Sequence, residues 1–254
     1  MEFSLGEKIR AKALQGRRTG LGITAEGDML AALGLRYGTD EAIDFAVEVQ
    51  KTLALEAYRA SVEMAKQRGA FQIYDAKKEK GNPMIERIKK ADPELYKEMV
   101  AHGRRNIAML TIAPTGTTSL MSQTTSGIEP VFRPVYKRRR KVNPNDKEVK
   151  KIILDEVGDS WEEYNVFHHK FITWLDINGY DTSKHADISD DELDEWVAAS
   201  PYNGATANDI DWVNKVKMQG AIQKWVDHSI SVTVNLPNDV DEALVAQVYK
   251  TAWE

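Results

Sequence analysis

The run NIAMLTIA at residues 106–113 constrains this chain more than any other stretch. It is almost continuously apolar and closes at Pro114, which has no N–H to give to a ladder, so it reads as a strand buried on both faces of a parallel sheet. Such a strand needs cover on both sides, and the flanking sequence supplies helical patterns. Ser4 with Glu7 fits a capping box, so a first helix should run toward the turn region 16–22. A short second helix is expected over 25–33. Thr39 then caps a long helix reaching Gly69, with Asp40 and Glu41 in its first turn, where the helix dipole favours negative charge. Its apolar positions recur at helical spacing on one face, and Phe45 and Val49 add a second face, which predicts packing on two sides. A charged helix should follow over 83–103.

Beyond the apolar run, a second strand is expected at 131–136, then helices over 147–157, 161–178, 190–199 and 207–226. The segment 229–236, with alternating Ile230, Val232 and Val234, reads as another strand, and Asn238 or Asp239 should cap a last helix. The class is α/β. At 254 residues the chain makes one large domain or two small ones. With 34 basic and 39 acidic side chains its net charge of −5 gives no general coat for nucleic acid, so an anionic ligand must be met locally. No stretch approaches the roughly 18 apolar residues of a membrane helix, and the N-terminus lacks a signal-peptide core, which predicts a cytoplasmic location. The sequence contains no cysteine, so no disulfide, thiolate metal site or thiyl mechanism can be carried by these residues.

The candidate chemistry lies just past the apolar run, in Pro114, Thr115, Gly116, Thr117, Thr118 and Ser119. A glycine among four hydroxyl residues, between a buried strand and a short helical run, gathers backbone N–H groups and hydroxyls toward one spot that suits a phosphate. Ligands of α/β folds sit at the carboxyl ends of strands, where this loop falls. A hydroxyl-rich turn that merely caps a helix is the competing reading.

The wider string RRNIAMLTIAPTGTTSLMSQTTSGIEPVF resembles the substrate-phosphate region of ribonucleotide reductases, specifically the adenosylcobalamin-dependent class. The resemblance extends to RRTGLGITAEGDMLAALGLRYGT, to MAKQRGAF and to KWVDHSISVTVNLP, in the expected order. It implies a partial ten-stranded α/β barrel, helix-rich, with this chain as the downstream portion of a single catalytic barrel domain. It also implies that Pro114 to Ser119 hold the substrate's phosphates. The family's radical cysteine, its neighbouring asparagine and glutamate, and its reducing cysteine pair lie upstream of the matched region. The resemblance therefore implies a reductase split or truncated at both ends, inactive alone, that works with an upstream cysteine-bearing chain or segment, a ribonucleotide substrate, adenosylcobalamin and a dithiol reductant such as thioredoxin. Open sheet edges in half a barrel also call for a partner, or a second copy of the chain. The alternative is a non-catalytic remnant that oligomerises and at most binds nucleotides.

Other features carry blander readings. The cations 137–141 could meet nucleic acid, but a solvated strand end or helix approach is preferred, because the interleaved aromatics and amides of a nucleic-acid groove are missing. His168 and His169 point to different faces of a helix and lack HExxH spacing, so they are not read as a metal site. Asp227 beside His228 is read as a capping or satisfied pair. Gly20, Gly22 and Gly27 do not fit GxGxxG and are read as turn glycines. The tryptophans of the second half are read mostly as core or subunit packing residues.

Overall fold

The computed structural model describes residues 4–143, 146, 152–183, 188–236 and 238–254. The predicted capping box is present: Ser4 accepts from the Glu7 amide and Glu7 returns the bond, opening α1 (Leu5–Gly16). α2 (Glu26–Ala32) is short, and α3 (Asp40–Arg68) begins at Thr39, whose hydroxyl accepts from the Ala42 amide. The buried side of α3 is a single stripe of Ala42, Ala46, Gln50, Ala54, Tyr58, Ser61, Val62 and Ala65. Phe45 stays exposed, so the expected second packing face is not formed. The helix expected over 83–103 is two helices, α4 (Pro83–Ala91) and α5 (Pro93–His102). Pro93 cannot continue the hydrogen-bond ladder, and Asp92 caps the new start by accepting from the Leu95 amide at 2.9 Å. That N–H, with Arg59 beside it, holds the Asp92 carboxyl below its ordinary range.

The apolar run is central, as expected, but it is not a full ladder strand. It forms isolated parallel bridges on both sides, Leu21 to Leu110 and Ile112 to Ile230. The amides of Met109 and Leu110 explain the interruption, because both donate to the Asp227 carboxylate instead of to a neighbouring strand. The segment 229–236 departs in the same way: only Ile230 bridges, while the Thr233 amide donates to Glu129 at 2.8 Å. Around these segments pack Leu30, Tyr58, Ile88, Leu95, Met99, Ile128, Met218 and Ile222, the main core.

The described residues between 131 and 202 build most of a second core region. β1 (Val135–Lys141), β2 (Ile152–Leu154) and β3 (Ser160–Phe167) form an antiparallel sheet with β3 in the middle. Two expected helices are thereby corrected. Of 147–157, residues 147–151 lie outside the described residues and 152–154 are strand; of 161–178, the first part is β3, and α7 covers only His169–Ile177. The strand expected at 131–136 is displaced to β1. Cross-strand pairing decides both cases: Arg139 meets Glu163 at 2.8 Å, and Arg140 meets Glu162, opposite it in register. The cationic run is thus an exposed strand in which four of the five charges are met by carboxylates, Lys137 by Asp190 and Lys141 by Asp159 besides the two arginines, while Arg138 stands opposite Tyr164.

α8 (Asp190–Ala199) closes a second core of Phe167, Phe171, Leu175, Leu193, Trp196 and Tyr202. α9 (Trp212–Gln223) is shorter than expected, starting at the Asp211 cap. α10 (Glu242–Trp253) starts at Asp241, not at Asn238 or Asp239. Trp196 is buried in this second core, whereas Trp253 is exposed on the chain's surface. Among the described residues no helix is long and apolar enough to cross a membrane.

Candidate functional site

Parallel pairing of Leu21 with Leu110 carries the two segments forward side by side, so Thr24 and Thr115 emerge next to each other at their carboxyl ends. Their hydroxyl oxygens lie 3.1 Å apart. The Gly127 amide donates to both, at 2.8 Å to Thr115 and 3.2 Å to Thr24. Thr115 has a φ of 50°, a left-handed conformation unfavourable to a β-branched residue, and these bonds hold it there. Behind it, α6 (Gly116–Ser122) begins. Ser119 is buried, donates to the Gly116 carbonyl at 2.8 Å and pairs with the Ser126 hydroxyl at 2.6 Å.

The predicted site residues therefore divide into two groups. Thr115 and Ser119 face inward and fix the loop to the segment 124–127. Pro114, Gly116, Thr117 and Thr118 are exposed, with the amides of 116–118 in the first turn of α6. A Cβ built on Gly116 meets nothing within 4 Å, so the space before the loop is open. Hydroxyls and amides in this position can hold an anion through hydrogen bonds. The inward-facing partners Thr24, Thr125, Ser126 and Gly127 were not singled out in the sequence; the hydroxyl-rich TTSG at 124–127 is the signal that marks them.

Close backbone approach builds the frame beneath the loop. Gly22 lies so near its neighbour that a Cβ would stand 2.1 Å from the Thr111 carbonyl oxygen, and one on Gly27 would stand 2.6 Å from that of Glu129. Gly20, Gly22 and Gly27 are thus packing glycines, which corrects their reading as turn residues. The Asp227–His228 pair is satisfied on one side only: the Asp227 carboxylate accepts from two backbone amides and from the Tyr58 hydroxyl at 3.0 Å, whereas His228 Nε2, 3.8 Å from it, is buried without a hydrogen-bond partner. Glu129 is held by the buried Lys215 at 3.7 Å, and burial lowers the Lys215 ammonium from its ordinary value. His168, Ser119 and Thr125 line a cavity of about 500 Å³ beside α6. Among the described residues no group of three or more acidic or histidine side chains gathers as a metal site.

Glu26, at the start of α2, is buried, and its Oε1 has no hydrogen-bond partner. Desolvation raises its carboxyl from 4.5 to about 7. The folded chain then keeps a proton that the unfolded chain loses between pH 4.5 and 7, so Glu26 destabilises the fold progressively as pH rises through that window. Glu26→Gln is expected to stabilise the protein by about 3 kcal/mol at pH 8 and to make no difference near pH 4. Thermal melting of both proteins across this range checks it.

The model of the ribonucleotide reductase barrel domain matches residues 1–254. The chain belongs to this family. The vitamin B12-dependent ribonucleoside-diphosphate reductase of Mycobacterium tuberculosis (strain CDC 1551 / Oshkosh) is 29% identical over 98% of this chain and 31% of its own length. The enzyme of that name from Thermoplasma acidophilum is 26% identical over 97% of this chain and 28% of its own. The ribonucleoside-diphosphate reductase subunit alpha of Helicobacter pylori is 24% identical over 100% and 29%. The chain thus spans about three tenths of the length of these relatives. As part of a reductase barrel, the parallel segments around Leu21, Leu110 and Ile230 are barrel staves, and the loop at 114–119 stands at their carboxyl ends.

Proposed function

We propose that this chain supplies the substrate-phosphate side of a ribonucleotide reductase, with Pro114, Thr115, Gly116, Thr117, Thr118 and Ser119 as the binding loop. The observation that carries this reading is the division of labour within the loop. Thr115 and Ser119 are spent on fixing its shape, which leaves the amides of 116–118 and the hydroxyls of Thr117 and Thr118 exposed at the carboxyl ends of the parallel segments.

The net reaction replaces the ribose 2′-hydroxyl by hydrogen and releases water, while a dithiol gives up two electrons and two protons and becomes a disulfide. With no cysteine in this sequence, the thiols belong to another chain or segment, regenerated by a dithiol reductant such as thioredoxin. Several relatives are named vitamin B12-dependent, and adenosylcobalamin would supply the initiating radical when bound. The hydrogen-bond donors of the loop fit phosphate oxygens, and none is assigned to the corrin. The residues of this chain bind and orient the substrate; they do not carry the radical.

Ribonucleotide reduction with adenosylcobalamin and a dithiol, measured for this chain with and without a cysteine-bearing counterpart, tests the reading. Activity is expected only in the mixture. Gly116→Leu sharpens the test, because the free loop has room for the side chain whereas a bound phosphate does not. The variant is expected to melt like the parent and to raise the nucleotide Kd at least about 10-fold, the loss of one charge-assisted hydrogen bond or more. Unchanged affinity would count against the loop.

A further inference from the structure

Asp28 is buried and stands one step behind the loop. Its carboxylate gathers three groups from three parts of the chain. Oδ1 lies 2.7 Å from His168 Nε2 and accepts from the Tyr202 hydroxyl at 2.9 Å, while Oδ2 accepts from the Thr125 amide at 2.8 Å. The contact is reciprocal, since the Asp28 amide donates to the Thr125 hydroxyl at 3.3 Å. Two further bonds, from the Ala25 amide to the Thr125 carbonyl and from the Glu26 amide to that of Gly127, close the clasp between the start of α2 and residues 125–127. That same segment holds Thr115 through Gly127 and Ser119 through Ser126.

We propose that Asp28 is a positioning residue for the phosphate loop. It fixes residues 124–127, against which Thr115 and Ser119 set the exposed amides, and His168 and Tyr202 hold its carboxylate in the orientation that does so. The proposal rests on the reading of 114–119 as the phosphate site. It gives the second core region a part in substrate binding, because His168 caps α7 and Tyr202 follows α8. Asp28 itself touches no ligand. Its effect falls on affinity, not on the chemical step.

The test measures ADP binding to the full chain by calorimetry, with inorganic pyrophosphate as the phosphate-only probe. Asp28→Asn keeps the volume but puts a donor where one acceptor stood, and should weaken both ligands about 10-fold. Tyr202→Phe, which leaves the carboxylate two partners, should weaken them a few-fold, and it decides the matter should Asp28→Asn fail to fold. Combining either with Thr115→Val should cost little more than the worse single change, because both act through residues 124–127; a role in general stability alone would give additive losses. Parent-like affinity in Asp28→Asn or Tyr202→Phe, or additive losses in the pairs, overturns the proposal provided Gly116→Leu still weakens ADP. Unchanged affinity in Gly116→Leu instead overturns the phosphate-loop reading, and this proposal with it.

Discussion

Replacing Asp227 by alanine is expected to lower the melting temperature by about 10 °C, a loss of roughly 3 to 5 kcal/mol. The carboxylate is only 8% exposed and accepts from the amides of Met109 and Leu110 and from the Tyr58 hydroxyl. Its removal strands the amides of Met109 and Leu110, both buried residues, whose acceptor is this carboxylate. Asp227→Asn keeps one oxygen and should lose about half as much. Circular dichroism melts of the two variants check the ordering; a melting point for Asp227→Ala within a degree or two of the parent would show that the amides find other partners.

Gly22→Ala is expected to do comparable damage by a different route. The added Cβ would fall 2.1 Å from the Thr111 oxygen and 3.2 Å from its carbonyl carbon, and both are backbone atoms that no rotamer change can move. The segments must separate, which breaks the Leu21–Leu110 bridge and pulls Thr24 from Thr115. A loss of about 3 kcal/mol or more follows, in the range of overpacked core positions. Faster hydrogen exchange at the Thr111 amide, which donates to Leu21 at 2.9 Å, should accompany it. Gly116→Ala, with open space around it, serves as the control and should be nearly neutral.

Local chemistry made part of this legible from the sequence. The Ser4–Glu7 box and the Thr39 cap involve residues three apart, so their hydrogen bonds can be read from spacing alone. The apolar run was likewise readable as the central segment. Its broken ladder was not, because the cause is a carboxylate 118 residues away from Met109. β3 looked helical for a related reason: WEEYNVF acquires its period only against the cations of β1, and a pattern shared between two segments is invisible in either one. The proposed phosphate loop is marked out by composition, but the inward turn of Thr115 and Ser119 depends on where 124–127 lies, which no local rule gives.

Thr115, left-handed and tied to Gly127, bears on what an anion would meet at the proposed loop. A flexible hydroxyl-rich turn would have to give up its freedom of shape at the moment of binding, and that entropy would be subtracted from the affinity. Here the freedom was surrendered once, during folding, to Thr24, Gly127 and Ser126. An anion bound at the proposed loop would meet a mould already set, and its contacts would count almost wholly toward holding it.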